Sequence, residues 1–438
     1  MRLSVFEANA GCLEAGLKMP GWETRPAARG WFAPFPQAEC PHAAGFSTAQ
    51  TGSQDRLKTT KTGKRGMTQS GWTVGTRIGF TLLALQILSK PGLYAGEIAD
   101  WLSVNGVAAV IGMAQQAAGA PEADDTSRLV MPLQVEFDIH PLPRHEWFAK
   151  LAYTQGDGLT GNGTFVLAPW GGDHESDVRH INGRNRSYLL TAGCRFTHEW
   201  GENSASLTLG IIDSTDFLDG NELAGDEYAR FFNEVFVFSG SHGLPSYDYG
   251  AAAEGRFGAW TFTGLLMDVG KNEAGNSYLF WGAQVARAHE NALGKGNLRI
   301  FLVGTDAKFP DVSETRLKCR VGGAVSATQQ WGEQMGGFLR MGCQARSSRV
   351  NYQSFYSGGL NFPGATWGRK ADTVGVACAY LHGGNTGVEH THAVEAYYRC
   401  VITPGFALTG DIQYLYDARE NAPRTRGVIG GIRAVVEF

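Results

Sequence analysis

Gly427-Val-Ile-Gly-Gly-Ile-Arg-Ala-Val-Val-Glu-Phe438 is the stretch of this 438-residue chain that decides its fold. Read in steps of two, one side carries apolar side chains, namely Val428, Ile432, Ala434, Val436 and Phe438. The other side holds both charges, Arg433 and Glu437. An apolar outer face, an ionisable inner face and an aromatic end are typical of a membrane-spanning β-barrel strand. A soluble sandwich strand would alternate in the same way, so the rest of the chain has to decide.

The same alternation recurs along the chain from about residue 102 to the end. It predicts about sixteen strands, over 102–115, 129–139, 146–155, 187–200, 205–213, 247–257, 260–270, 278–288, 296–304, 316–328, 335–345, 354–362, 372–382, 392–402, 407–416 and 427–438. Each is close to the roughly 9–11 residues that a tilted strand needs to cross a bilayer. Single-chain bacterial barrels use an even number of strands.

The connecting segments alternate between short turns and longer polar loops. Turns are predicted at 140–145, 201–204, 258–259 and 403–406, where Gly, Pro, Asn and Ser are common. Longer loops are predicted at 156–186, 214–246, 305–315 and 417–426. This asymmetry predicts an all-β fold, a transmembrane antiparallel β-barrel of about sixteen strands with short periplasmic turns and longer extracellular loops.

Charged side chains keep to one parity of the predicted strands. Glu395 and Arg399 share a face with Tyr397, whereas Ala396 and Tyr398 lie on the opposite face. A charge on the lipid side costs roughly 2–4 kcal/mol at the bilayer midplane. The charged parity must therefore face water, which predicts a water-filled lumen.

An export signal is predicted ahead of the first strand. Arg77 precedes a short apolar run, 78–88, and Ala95-Gly96 supplies small residues at its exit, as in a secretory signal peptide. Residues 1–66 show no sustained period of 2 or 3.6. The chain is thus divided into an over-extended or disordered segment (1–66), a signal peptide (67–95) beginning at Met67, and a barrel (96–438). We expect export through the periplasm to the outer membrane of a Gram-negative cell.

The charge of the exported part argues against nucleic acid as a partner. From residue 96 onward the sequence has 21 Arg and 6 Lys against 18 Asp and 19 Glu, a formal net charge of −10. An acidic, exported chain has little reason to bind phosphates.

Motifs of metal and catalytic sites are missing from the sequence. The seven cysteines show no C-x-x-C spacing, so neither a structural zinc site nor a disulfide framework is expected. The sequence contains neither Gly-x-Ser-x-Gly nor His-Glu-x-x-His. We therefore expect no catalytic residues, no metal and no cofactor, and keep an outer-membrane barrel hydrolase as a distant alternative.

Several segments resemble the carbohydrate-selective porin family, the OprB type. They are 180–192, 210–219, 244–250, 356–360, 367–369 and 395–399, and they occur in the family's order. The resemblance covers about 102–438. It implies a sixteen-stranded barrel that passes sugars by facilitated diffusion, with one loop folded inward to narrow the pore. Residues 1–66 have no counterpart in it.

A sugar pore needs paired donors and acceptors beside aromatic rings, in weak and repeated contacts. The loop 214–246 is acidic and aromatic, and we expect it to fold across the lumen toward the arginine-bearing strands at 316–328, 335–345 and 392–402. The candidate pore-lining or constriction residues are Arg184, Arg186, Arg195, Asp213, Asp216, Asp219, Arg230, Glu254, Arg256, Arg320, Arg340, Glu395, Arg399, Asp411 and Arg433.

The expected partners are sugars in transit, outer-membrane lipid, and the barrel assembly machinery through the C-terminal Phe438. A homotrimer and a monomer both stay open. The arginines at 316, 320, 340, 399 and 433 keep a general or weakly anion-selective diffusion porin as the nearer alternative.

Overall fold

The structure, a computed structural model, describes residues 96–119, 125–161 and 163–438. The predicted N-terminal segment (1–66) and signal peptide (67–95) lie outside these residues. In the described part of the chain, no helix is both long and apolar enough to cross a membrane.

Strands make up most of the described chain. They are β1 (Gly96–Ala99), β2 (Leu102–Ala118), β3 (Thr126–Leu142), β4 (His145–Gln155), β5 (Leu189–Trp200), β6 (Asn203–Ile212), β7 (Asp248–Phe257), β8 (Trp260–Val269), β9 (Tyr278–Asn291), β10 (Gly294–Thr305), β11 (Phe309–Pro310), β12 (Leu317–Lys318), β13 (Val321–Trp331), β14 (Met335–Gln344), β15 (Tyr352–Pro363), β16 (Thr373–Gly383), β17 (Val388–Thr403), β18 (Phe406–Arg419) and β19 (Thr425–Glu437). The helical segments are α1 (Glu175–Arg179), α2 (Glu234–Val237) and two 3-10 turns, Ser214–Asp216 and Gly364–Trp367.

The sheet closes into a sixteen-stranded antiparallel barrel, as predicted. Strands β2–β10 and β13–β19 pair in chain order, and β19 pairs back with β2, with Val428 opposite Gln116. At the end of this seam, the backbone N–H of Phe438 donates to Gly106 O (3.0 Å), and the N–H of Gly106 donates to Phe438 O (2.7 Å). Because every long strand has two neighbours, the barrel has no free edge.

The predicted alternation of outward-facing and inward-facing side chains is confirmed in the C-terminal strand, β19. Ile432 is 69% exposed on the outer surface, whereas its neighbour Arg433 is 0% exposed and faces the lumen. The outer face of β18 is likewise apolar, with Leu408, Ile412 and Tyr414 exposed, and Asp411 lies on its inner face. Alternation thus separates a lipid-compatible surface from a polar interior.

One predicted strand is wrong in its first residues. The strand predicted at 316–328 begins at Val321, and Leu317–Lys318 instead pairs with Phe309–Pro310 in a separate ribbon. Arg316 and Lys318 are therefore not on the barrel wall. The alternation there belongs to a small hairpin within the connection 306–320, which has the same period of two as a barrel strand.

The two ends of the barrel differ as the connectors predicted. One end, the turn mouth, carries the connections 143–144, 201–202, 258–259, 292–293, 332–334, 364–372 and 404–405. The other end, the loop mouth, carries 119–125, 156–188, 213–247, 270–277, 306–320, 345–351, 384–387 and 420–424. The two longest connections therefore share one mouth, opposite the C-terminal Phe438.

The connection 213–247, here called the inner loop, folds into the lumen and builds an apolar core there. Phe231, Phe232 and Phe236 are each fully buried. Phe231 packs edge-on against Tyr397 of β17, with ring centroids 5.0 Å apart, and against Phe338 of β14, at 5.7 Å. Aromatic burial of this extent provides much of the stability that holds the loop in place.

Candidate functional site

Arg340 on β14 is the first of three anchors that hold the inner loop. Its guanidinium donates to the backbone oxygens of Phe236 (2.5 Å), Val237 (3.0 Å) and Asp219 (2.9 Å). Its Nε also lies 3.3 Å from the Asp219 carboxylate, and both side chains are almost wholly buried. A planar guanidinium with five donors is well suited to collect several carbonyl groups at once. Arg340 therefore faces the lumen but is covered by the loop.

Glu395 on β17 is the second anchor, and it binds backbone amides. Its carboxylate accepts from the N–H of Phe232 (2.5 Å) and of Asn233 (2.9 Å). On β18, Gln413 accepts from the Asn233 side chain (3.1 Å) and donates to Asp411 (2.9 Å). These bonds satisfy loop amides that would otherwise be buried without partners.

Arg433 on β19 is the third anchor. It donates to the backbone oxygens of Glu227 and Arg230, the latter at 2.9 Å. Its guanidinium carbon also lies 4.0 Å from the centre of the Phe232 ring, a cation–π contact. The three anchors tie the loop to one side of the wall, at β14 and β17–β19.

The opposite side of the inner loop is open. A cavity of about 950 Å³, the vestibule, lies between the loop and the connections of the loop mouth, and Arg320 and Tyr352 are among its lining residues. A second cavity of about 570 Å³, the passage, lies between the loop and strands β3–β5. Thr215, Phe238 and Ser246 line both cavities, and we call this shared boundary between the vestibule and the passage the neck.

The passage has a wall side and a loop side. Gln134 of β3, Lys150 of β4 and Thr191 of β5 line it from the wall. The loop side contributes carboxyl groups, which are Asp213, Asp216 and Asp219 from the inner loop's first turn and Glu227 further along. Asp173 and Asp177 of the connection 156–188 complete the lining. The arrangement places hydrogen-bond acceptors on one side and donors on the other.

The carboxyl groups of the passage differ in their surroundings. Asp173 is buried and accepts from the Tyr247 hydroxyl (2.9 Å) and the Gln134 amide (2.6 Å). Burial raises the pKa of Asp173 despite these bonds, and burial raises the pKa of Glu227 to about 8. Asp216 and Asp177 are exposed to the lumen. The exposed pair is what a solute in the passage meets first.

Of the fifteen candidates, the structure brings four to the cavities. Asp213, Asp216 and Asp219 line the passage, and Arg320 lines the vestibule. Arg320 donates to Glu273 (3.0 Å) and lies 4.0 Å over the Phe309 ring. Five others belong to the anchored side of the loop, namely Arg230, Arg340, Glu395, Asp411 and Arg433.

Four further candidates lie on the inner wall toward the turn mouth and are not part of the lining of either cavity, although Arg195 acts electrostatically on Asp216. Arg195 donates to Thr208 (3.2 Å), and Arg399 pairs with Glu437 (3.0 Å). Glu254 and Arg256 share the inner face of β7, as the sequence predicts, where they lie opposite Ser206 and Ser204 of β6. These residues line the wider lumen below the loop.

Arg184 and Arg186 lie elsewhere, on the outer rim of the loop mouth. Both guanidinium groups lie over the ring of Tyr249, at 5.3 and 6.0 Å, and that ring is exposed on the outer surface. Arg184 also pairs with Asp248 (3.2 Å) and Asp268 (2.9 Å). The turn at 181–186 packs against the outer rim of the barrel, which the alternation of the neighbouring strands does not reveal.

Lys150 and Arg299 are among the lumen residues that sequence reasoning missed. Lys150 lies in the passage and Arg299 of β10 pairs with Glu222 of the inner loop. Both residues fit the alternation that identified the other charges. Arg299, for example, stands between Leu298 and Ile300, which are both exposed on the outer face. Applying the parity rule to every predicted strand would have found them.

Comparison with known proteins agrees with this architecture. The profile of the family described as "Carbohydrate-selective porin, OprB family" matches residues 149–438. An uncharacterized protein of Aquifex aeolicus (strain VF5) is 23% identical over 262 residues, which is 58% of this chain and 72% of that protein. Among solved structures, the high-pH structure of Pseudomonas putida OprB aligns with a TM-score of 0.61 and 13% identity, over 82% of this chain and 97% of that one.

A second solved structure, the anion-selective porin from Comamonas acidovorans, aligns with a TM-score of 0.46 and 12% identity, over 77% of this chain and 100% of that one. The family profile covers well over half of the sequence, and its range includes every segment that carried the resemblance. This chain belongs to the carbohydrate-selective porin (OprB) family and is an outer-membrane sugar porin.

Proposed function

We propose that sugars cross this barrel along the open side of the inner loop, from the vestibule through the neck into the passage. The observation that carries the proposal is that the two cavities share Thr215, Phe238 and Ser246. The anchored side offers no comparable route, because Arg340 and Glu395 are buried there against loop backbone. The route lies within one chain, so it needs no second barrel in either a monomer or a homotrimer.

The chemistry of the route suits a neutral solute with many hydroxyl groups. Gln134, Lys150 and Thr191 supply donors along the wall, and the exposed carboxylates of Asp177 and Asp216 supply acceptors. Phe238 gives the neck an apolar surface that matches the C–H face of a sugar ring. Several weak contacts in series favour entry without trapping the solute, as facilitated diffusion requires.

Blocking the neck tests this route. We expect Thr215→Trp to abolish most of the swelling of proteoliposomes in glucose, because the indole fills the junction of the two cavities. Arg256→Trp is the matched control, since Arg256 lies on the inner wall away from both cavities, and its swelling rate should stay close to that of the native protein. A native swelling rate in Thr215→Trp, with the barrel folded, would overturn the route.

A general or weakly anion-selective porin is the second candidate, raised by the arginines of the sequence. The lining of the passage opposes an anion preference, because it includes six carboxyl groups and Lys150 as its one lysine or arginine among the described residues. Arg340 and Arg433, the strongest arginine candidates, are covered by the loop. Reversal potentials in a KCl gradient distinguish the two functions, and we expect no preference for chloride.

A channel role follows from the family and the fold, and we propose that the chain has no hydrolytic activity. Among the described residues, no group of three or more His, Cys, Asp or Glu side chains is arranged to bind a metal ion. Incubation of the purified protein with ester and lipid substrates tests the proposal, and turnover above the background rate would contradict it.

We further propose export through the periplasm after cleavage near Gly96, with the loop mouth facing the exterior. The sequence evidence for cleavage is the apolar run 78–88 that follows Arg77. We also propose that the barrel assembly machinery recognises Phe438, which closes the seam against Gly106. N-terminal sequencing of the outer-membrane form tests the cleavage, and surface labelling of Val312→Cys in the connection 306–320 on intact cells, compared with Gly201→Cys at the turn mouth, tests the orientation.

A further inference from the structure

We infer that Lys150 sets the charge selectivity of the passage: it balances the exposed carboxylates so that neutral sugars pass in preference to ammonium-bearing sugars and other cations. The inference rests on the proposed route and names a residue that neither the sequence motifs nor the family match assigns. Lys150 lies on β4, faces the lumen and lines the passage.

Lys150 is held in that position by its neighbours on the wall. It is the cross-strand partner of Glu136 on β3 and of Thr191 on β5. Its Nζ lies 3.5 Å from Glu136 Oε2, while 23% of the Lys150 side chain stays exposed. Cross-strand opposite charges at this spacing attract, so the ammonium group is kept beside the passage rather than extended toward a mouth.

Asp216 is the acidic residue on the loop side, and its partial burial together with the neighbouring Asp213 raises its pKa to about 7, so it carries its negative charge above that pH. It ends the 3-10 turn Ser214–Asp216, whose start is fixed by the Asp213 carboxylate, which accepts from the N–H of Thr215 (2.8 Å). Because Asp216 is exposed in the same cavity as Lys150, a solute passes between a cation on a rigid strand and an anion on an anchored loop.

The balance of charge decides which solutes this gap admits. Asp173 and Asp213 are buried and hydrogen-bonded, so Asp177 and Asp216 are the exposed aspartates of the passage. Without Lys150, Arg195 would be the remaining cation that acts on Asp216 among the groups that shift its pKa. A passage lined by one sign of charge concentrates counter-ions and excludes co-ions. Lys150 therefore keeps the passage permeable to neutral hydroxylated solutes without enriching cations.

The test compares Lys150→Gln with native protein in planar bilayers under a KCl gradient. At pH 8 we expect the cation-to-anion permeability ratio to rise about tenfold, because one unit charge at about 6 Å in water changes the permeabilities of the cation and of the anion about threefold each, in opposite directions. Asp216→Asn should shift the ratio in the opposite direction by a similar factor. Lys370→Gln, which changes the same charge on an exposed residue of the turn mouth, is the matched control and should leave the ratio unchanged.

Solute fluxes complete the test. In swelling assays, the rate for glucosamine relative to glucose should also rise about threefold in Lys150→Gln, and Lys150→Arg should restore the native ratio. The inference is overturned if Lys150→Gln and Asp216→Asn both leave the ratios unchanged while Thr215→Trp still blocks sugar flux. If Thr215→Trp does not block flux, the route itself fails, and the inference fails with it.

Discussion

The two sides of the inner loop use the same kinds of residue for opposite purposes. On the side of β14 and β17–β19, Arg340, Glu395 and Arg433 are buried and bind loop backbone. On the side of β3–β5, Lys150 and Asp216 face an open cavity. The wall residues on both sides, including Lys150, occupy inward-facing positions of their strands. The difference shows that parity decides which charges enter the lumen, whereas contact with the loop decides which of them a solute can meet.

The largest expected effect comes from removing an anchor. Arg340→Ala leaves the buried Asp219 carboxylate and three backbone oxygens without their cation, and breaking a buried pair in this way costs about 3–5 kcal/mol. The inner loop should leave the wall, so single-channel conductance should rise and become unsteady. Planar-bilayer recording is the measurement, and Arg256→Ala is the control on the exposed inner wall. Native conductance in Arg340→Ala would mean that the anchor is dispensable.

A smaller effect is expected from Glu395→Gln. The glutamine amide keeps one acceptor oxygen, so it can accept from the N–H of Phe232 or of Asn233 but not from both, and a buried N–H left without a partner costs about 1–3 kcal/mol. The loop should remain docked but be cleaved faster by added protease. Glu437→Gln, which weakens only the exposed pair with Arg399, serves as the comparison and should be cleaved at the native rate.

Changes of pH should act on the same docked loop. Burial raises the pKa of Glu234 to about 7 and that of Glu227 to about 8, both above the ordinary value of 4.5. The docked loop therefore binds more protons than the free loop between pH 4.5 and 8, so docking is stabilised at acid pH and weakens as the pH rises through that range. Conductance noise should increase from pH 5 to pH 9, and Glu227→Gln should reduce that increase. A pH-independent record would contradict the burial of these carboxyl groups.

The smallest effect is expected at the outer rim. Arg184→Ala removes its ion pairs with the buried Asp248 and with the exposed Asp268, and the exposed pair is worth about 0–1 kcal/mol. Because Arg184 lies over Tyr249 on the outer surface, sugar flux and ion selectivity should not change. Swelling assays with glucose measure this, and a change in selectivity would return Arg184 to the pore lining.

The sequence predicted the barrel well because its determinants are local. Strand alternation, as at Ile432 and Arg433, is readable within a few residues and is confirmed by the burial of one and the exposure of the other. The same rule would have found Lys150 and Arg299. The anchors could not be predicted in this way, because their contacts are long-range: Glu395 binds amides more than 160 residues away along the chain. No local pattern separates such a residue from one that lines open water.

Cysteine accessibility tests the central claim, that the route follows the open side of the loop, most directly. In a background without native cysteines, Asp216→Cys should react with a charged thiol reagent added to the open channel, and the current should fall. Thr409→Cys, on the inner face of β18 at 1% exposure, should not react. Rapid block through Thr409→Cys with none through Asp216→Cys would place the route on the anchored side and contradict the account.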